Sequence, residues 1–144
     1  MQNLSSYIGL PFVEKGRDRA GVDCWGLVAM ALREHFSVEV PSYTEDYTTT
    51  QEGAEIAALI GRESVSWPEV SLADAMPGDV LILRVMGRPW HCGLVIAPFY
   101  FLHAERGVGV VKERWDSLLW GRRIVGVHRH PELMVQALAG STVQ

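Results

Sequence analysis

The sequence predicts an α+β fold in which N-terminal helices pack on a central antiparallel sheet of about five strands. Three observations predict it. After Asp23, the apolar residues Leu27, Val28, Ala31 and Leu32 recur at the spacing of an amphipathic helix. From residue 80 the pattern changes to short runs rich in β-branched and aromatic residues, broken by Gly and Pro. Those runs follow one another too closely for parallel crossovers, which need about a dozen residues or more.

The first helix is expected over 24–36, with Asp23 as its N-cap accepting an orphan backbone N–H of the first turn. The polar, Tyr-containing stretch after Pro41 reads as a surface loop. A shorter helix is expected over 52–60, with Ala54, Ala57, Ala58 and Leu59 for one face and Gly61 as terminator. Met76-Pro77-Gly78-Asp79 is a turn that feeds an apolar run, and the Asp79 carboxylate is expected to cap that turn. Strands are expected over 80–86, 91–97, 99–104, 108–113 and 124–128. The tail from Met134 lacks strong start or stop signals, so residues 131–144 form an extension expected to fray or dock weakly. With 144 residues, 48% of them hydrophobic, the chain is long enough for one self-sufficient domain, expected over 1–130.

Composition narrows the function. Thirteen Lys and Arg against 17 Asp and Glu give a net charge of −4, with no basic stripe to track phosphates, which argues against nucleic acid. Arg122, Arg123, Arg129 and the Lys112–Arg114 stretch read as a solvated, loosely basic face, with contact to a partner protein or an anionic glycan as the alternative. No run approaches the roughly 18 apolar residues of a membrane span. Met1 to Pro11 shows no signal-peptide pattern, so the expectation is a chain made in the cytoplasm and not inserted in a membrane. Two Cys make at most one bridge, so each thiol needs its own account.

Cys24 falls in the first turn of the expected helix, where free N–H groups and the helix dipole favour a thiolate. The plainer alternative is a small apolar residue at the start of a core helix. On the strand Trp90 to Ala97, alternation sets His91, Gly93 and Val95 on one face and Cys92, Leu94 and Ile96 on the other. Cys92 therefore reads as core. His103 repeats the pattern on the next strand, close enough for the two rings to meet. Each His alone is more simply a packing residue. A Cys, a His and a second polar group together are what a thiol nucleophile requires. A zinc site from Cys24, His91, Cys92 and His103 fits no finger-type spacing, and no metal or cofactor is expected.

These segments resemble those of the NlpC-type cell-wall endopeptidases, papain-like cysteine peptidases of bacteria and their phages. Asp23-Cys24-Trp25-Gly26-Leu27-Val28 resembles the family's nucleophile segment, and Pro77-Gly78-Asp79-Val80 the turn opening its first central strand. His91-Cys92-Gly93-Leu94-Val95 is similar to the strand of its catalytic His, and Phe101-Leu102-His103-Ala104 to that of its third polar residue. The resemblance implies a papain-like fold, Cys24 as nucleophile, His91 as general base and then acid, and His103 as the group orienting His91. It also implies that the Cys24 backbone N–H helps hold the oxyanion. Asp23, Trp25, Trp90 and Phe12 are the candidate substrate-binding residues. Phe12 stands where the family often has a Tyr, and Trp25 where a Ser is common.

Gly21-Val22-Asp23-Cys24 and Trp120-Gly121-Arg122-Arg123-Ile124-Val125-Gly126 look like the phage-tail and gene-transfer-particle branch. That likeness implies hydrolysis of an amide in peptidoglycan stem peptides, commonly between D-γ-glutamate and diaminopimelate. It also implies tail or tail-tip proteins as partners, with the enzyme carried on the virion tail to the periplasm or cell wall. Two other readings fit the same residues: a catalytically latent structural plug of a tail tip, and a thiol-dependent acyltransferase.

Overall fold

In a computed structural model, the structure describes residues 3–42, 67–85 and 88–142, with 85, 88–90 and 137–142 described by their backbone alone. The helix expected over 52–60 lies outside the described residues. After a 3-10 turn at Leu4–Tyr7, two short strands, β1 (Arg17–Asp18) and β2 (Gly21–Val22), pair as a ribbon leading into α1 (Cys24–Phe36). Six strands follow in chain order. They are β3 (Glu69–Val70), β4 (Val80–Val85), β5 (Arg88–Ala97), β6 (Tyr100–Glu105), β7 (Gly109–Arg114) and β8 (Ile124–His128). α2 (Pro131–Thr142) closes the chain.

The six strands form one sheet in the order β3-β8-β4-β5-β6-β7, antiparallel at every pairing. The five expected strands are all present. β3 and the β1–β2 ribbon were not expected, because two-residue strands are too short to show alternation. The tail, expected to fray or dock weakly, forms α2, with Pro131 in its first turn, where the missing N–H costs nothing, and Glu132 beside it. Leu133 buries against Phe36 and the α1 side of the sheet, and the Gln136 amide donates to the Phe36 carbonyl at 2.9 Å.

α1 is apolar nearly all round and lies across β5 and β6. One side of the sheet, through Val80, Ile82, Cys92, Leu94, Leu102 and Ala104, packs on α1 residues from Cys24 to Leu32. The other side gathers Leu81, Leu83, Val95, Phe101 and Val127 under Trp115 and Trp120. The helix thus pins its first residue, Cys24, against the middle of the sheet.

Arg129 is not part of a solvated basic face. It is buried, and its guanidinium grips both Asp79 oxygens at 2.8 and 2.9 Å and the Asp74 carbonyl at 2.9 Å. Asp79 also accepts the Met76 N–H at 2.8 Å, so one carboxylate closes its own turn and ties it to the end of β8. Among the described residues no helix is long and apolar enough to cross a membrane.

Candidate active site

The site begins with how the chain holds the first turn of α1. Asp23 is fully buried, and its Oδ1 accepts the Gly26 N–H at 2.8 Å, a regular N-cap. The same oxygen pairs with Arg17 Nη1 at 2.8 Å, while Oδ2 accepts the Lys15 N–H at 3.0 Å. Arg17 in turn donates to the carbonyls of Gly16 and Ser42. A Cβ on Gly26 would sit 1.9 Å from the Gly16 carbonyl oxygen, so only glycine lets this strap lie on the helix. Asp23 is thereby committed to holding Cys24 in place.

Cys24 is 1% exposed. Its thiol is lowered from 9.0 to about 6, first by a hydrogen bond from Cys92, against the opposing effect of burial, and further by the hydrogen bond and charge of His91. Cys92 moves the opposite way: its hydrogen bond to Cys24 and its burial push its thiol well up, so it stays an S–H donor. Cys92 does pack in the apolar layer under α1, but it also reaches the thiol of Cys24, a contact alternation within one strand could not disclose.

His91 is half-buried on β5. Its Nε2 lies 2.9 Å from Nδ1 of His103, the rings meeting edge to face at 87°. The β5–β6 register explains the meeting. Leu94 pairs with Leu102, so His103 falls opposite Gly93 and diagonal to His91 on the same face. A Cβ on Gly93 would come 2.8 Å from the Phe101 ring, so the glycine clears the floor between the two histidines. His103 is 1% exposed, with the Trp120 ring centroid at 4.9 Å and that of Phe101 at 5.4 Å. Burial, and next the neighbouring charge of His91, lower it from 6.5 to about 4, so it is neutral at physiological pH.

Beyond His103 stands a residue the sequence did not single out. Glu113 on β7 accepts from Nε2 of His103 at 2.6 Å. Four side chains from α1 and three adjacent strands thus form one line: Cys24, His91, His103, Glu113.

The other candidates sit around this line in different ways. Trp25 is 2% exposed, its ring tilted on Trp67 and its indole N–H spent on the Pro41 carbonyl at 2.8 Å. Phe12 is half-buried, bridged to Val22 just before the nucleophile segment, with the Arg106 guanidinium over its ring at 4.9 Å. The side chain of Trp90 lies outside the described residues. Tyr7 does not substitute for the missing Tyr near Cys24; its hydroxyl donates to Glu34, three turns further along α1, at 2.6 Å. Among the described residues no group of three or more His, Cys, Asp or Glu is arranged to hold a metal.

A cysteine at a helix N-terminus, set against a histidine of an antiparallel sheet, defines a papain-like thiol domain. The chain belongs to the NlpC/P60 family, whose model matches residues 9–129. It is 26% identical over 119 residues to the protein named Probable endopeptidase NlpC of Escherichia coli K12, covering 81% of this chain and 67% of that one. It is 24% identical over 123 residues to Murein DD-endopeptidase MepS/Murein LD-carboxypeptidase of the same strain, covering 85% of this chain. The chain spans 57% of the length of that second relative. Among solved structures, an NlpC/P60 family protein from Bacillus cereus superposes with a TM-score of 0.65 at 18% identity, over 88% of this chain and 37% of that one. The NlpC/p60 domain of peptidoglycan hydrolase SagA superposes with a TM-score of 0.58 at 21% identity, over 87% of this chain and 91% of that domain.

Proposed function

We propose that the chain is a cysteine peptidase that hydrolyses an amide bond in peptidoglycan stem peptides, with D-γ-glutamyl-diaminopimelate as the first bond to test. The observation that carries this reading is the Cys24 thiol, lowered to about 6 beside the linked pair His91 and His103. In this mechanism His91 takes the Cys24 proton and the thiolate adds to the amide carbonyl. The Cys24 backbone N–H, at the positive end of α1, steadies the oxyanion. His91 then protonates the leaving amine, and water, deprotonated by His91, releases the acyl group from sulfur. Family membership and the names of the murein-cleaving relatives support the choice of substrate.

The finer reading is a phage tail-tip cell-wall hydrolase carried to its substrate on a virion tail. The support for it is the likeness of the segments at Gly21–Cys24 and Trp120–Gly126 to that branch. The deciding experiment is digestion of purified peptidoglycan by wild type and Cys24→Ala, with mass spectrometry of the released muropeptides. Products made by wild type and not by the variant sustain the reading; identical digests overturn it. Recovery of the chain from purified tail particles tests the carrier.

A further inference from the structure

We propose that Glu113 is a positioning residue that sets the tautomers of His103 and His91, so that the nitrogen of His91 left free to accept a proton is Nδ1. The inference rests on the reading of Cys24 and His91 as a catalytic pair, and it adds the group that prepares that pair.

Hydrogen-bond counting places each proton. An ionised carboxylate only accepts, so the 2.6 Å contact with Glu113 requires the proton of His103 to sit on Nε2. A neutral imidazole carries one N–H, which leaves Nδ1 of His103 bare. The 2.9 Å contact with His91 Nε2 then requires His91 to donate there. Neutral His91 has its one N–H on Nε2, and Nδ1 holds the lone pair. When the Cys24 S–H bond breaks, its electron pair stays on sulfur and its proton goes to Nδ1. Nε2 keeps its own proton throughout, and the imidazolium is held at both ends. With no acceptor at position 113, His103 is free to carry its proton on Nδ1 and donate to His91. That arrangement puts the His91 proton on Nδ1 and removes the base.

The surroundings leave the choice to Glu113. Phe101 and Trp120 wall the His103 ring with apolar faces that offer no competing acceptor. Among the titratable and charged groups, Cys24 faces His91, Cys92, Asp23 and Arg17 act on the two thiols, and Glu113 on β7 faces His103. Of these, Glu113 is the one that touches His103. Its side chain is 28% exposed, so it anchors a buried ring without itself being sealed from water.

The test is Glu113→Gln, which keeps the size but offers a donor as readily as an acceptor, with Glu113→Asp as the conservative rescue. Nitrogen NMR of histidine-labelled protein reads the tautomers directly, without substrate. Wild type is expected to show His103 protonated on Nε2 and bare on Nδ1, and His91 protonated on Nε2 whether or not its Nδ1 has taken the Cys24 proton; Glu113→Gln is expected to show a mixture. On a soluble muropeptide, Glu113→Gln is expected to lower kcat by about tenfold or more with KM within about twofold. Glu113→Asp is expected to recover part of the loss. Unchanged tautomers and kcat in Glu113→Gln overturn the proposal, as does a loss of kcat that only follows a loss of folded protein by thermal melting. A wild type with the stated tautomers that cleaves no muropeptide overturns the peptidase reading and leaves the role of Glu113 standing.

Discussion

Nε2 of His91 lies 2.9 Å from Nδ1 of His103, and the two rings stand nearly perpendicular. That one contact joins adjacent strands and couples a half-buried histidine to one with no solvent of its own. The chemistry at Cys24 therefore depends on residues two strands away, and each link can be tested separately.

The proposed nucleophile is the first. With its thiol lowered to about 6, Cys24 is largely thiolate at pH 7. Alkylation by iodoacetamide is expected to be half-maximal near pH 6 and flat above pH 8. A profile centred near the free-thiol value of about 8.5 contradicts the activation.

Cys92→Val removes the S–H donor and adds one heavy atom to a fully buried site. The variant is expected to shift the Cys24 alkylation profile to higher pH and to cost about 1–3 kcal/mol of stability. Both are read on the same preparation, by alkylation rate and by denaturant unfolding.

His103 links folding to pH. Its folded value, about 4, lies below the ordinary 6.5, so the unfolded chain binds the proton more readily between those values. The stabilisation is therefore present above pH 6.5 and is lost as pH falls toward 4. For a ring 1% exposed it amounts to about 3 kcal/mol. Unfolding free energies at pH 7 and pH 4 are expected to differ less in His103→Asn than in wild type, by up to that amount.

Gly26→Ala opposes two effects. Alanine is favoured over glycine inside a helix by about 1 kcal/mol. Here its Cβ meets the Gly16 carbonyl oxygen at 1.9 Å, and backbone cannot swing aside as a side chain can. The clash wins: the melting temperature is expected to fall, and activity with it, because the displaced strap carries the Arg17–Asp23 pair that seats Cys24.

Asp79→Ala strands the buried Arg129 guanidinium. The expected cost is about 3–5 kcal/mol by denaturant unfolding. Replacing both partners by apolar residues of similar volume is expected to cost less than the single change, because no uncompensated charge remains.

Much of this is legible in the sequence. The cap at Asp23, the helix over 24–36 and the five main strands follow from periodicity and turn chemistry, which are local. The histidine pair follows from two strands in succession with one His on each inward face. Glu113 was not readable in the same way. A two-residue turn at Arg106-Gly107 would pair Glu105 with Val108 and turn Glu113 away from His103. The actual hairpin pairs Glu105 with Gly109, one residue later, with positive φ at Gly107 and Gly109. That single step flips every side chain of β7 to the other face.

Arg129 and Cys92 show the same division. A charged residue among other basic residues reads as solvated, and a small residue beside Leu94 reads as packing. Only the tertiary structure brings Asp79 to Arg129 and the first turn of α1 to Cys92. By itself, the sequence determined which residues are chemically capable, an acid cap, two thiols and two imidazoles, and the local elements that bear them. The tertiary structure decided which of them touch, since register and the seating of a helix on a sheet are set by packing over the whole core.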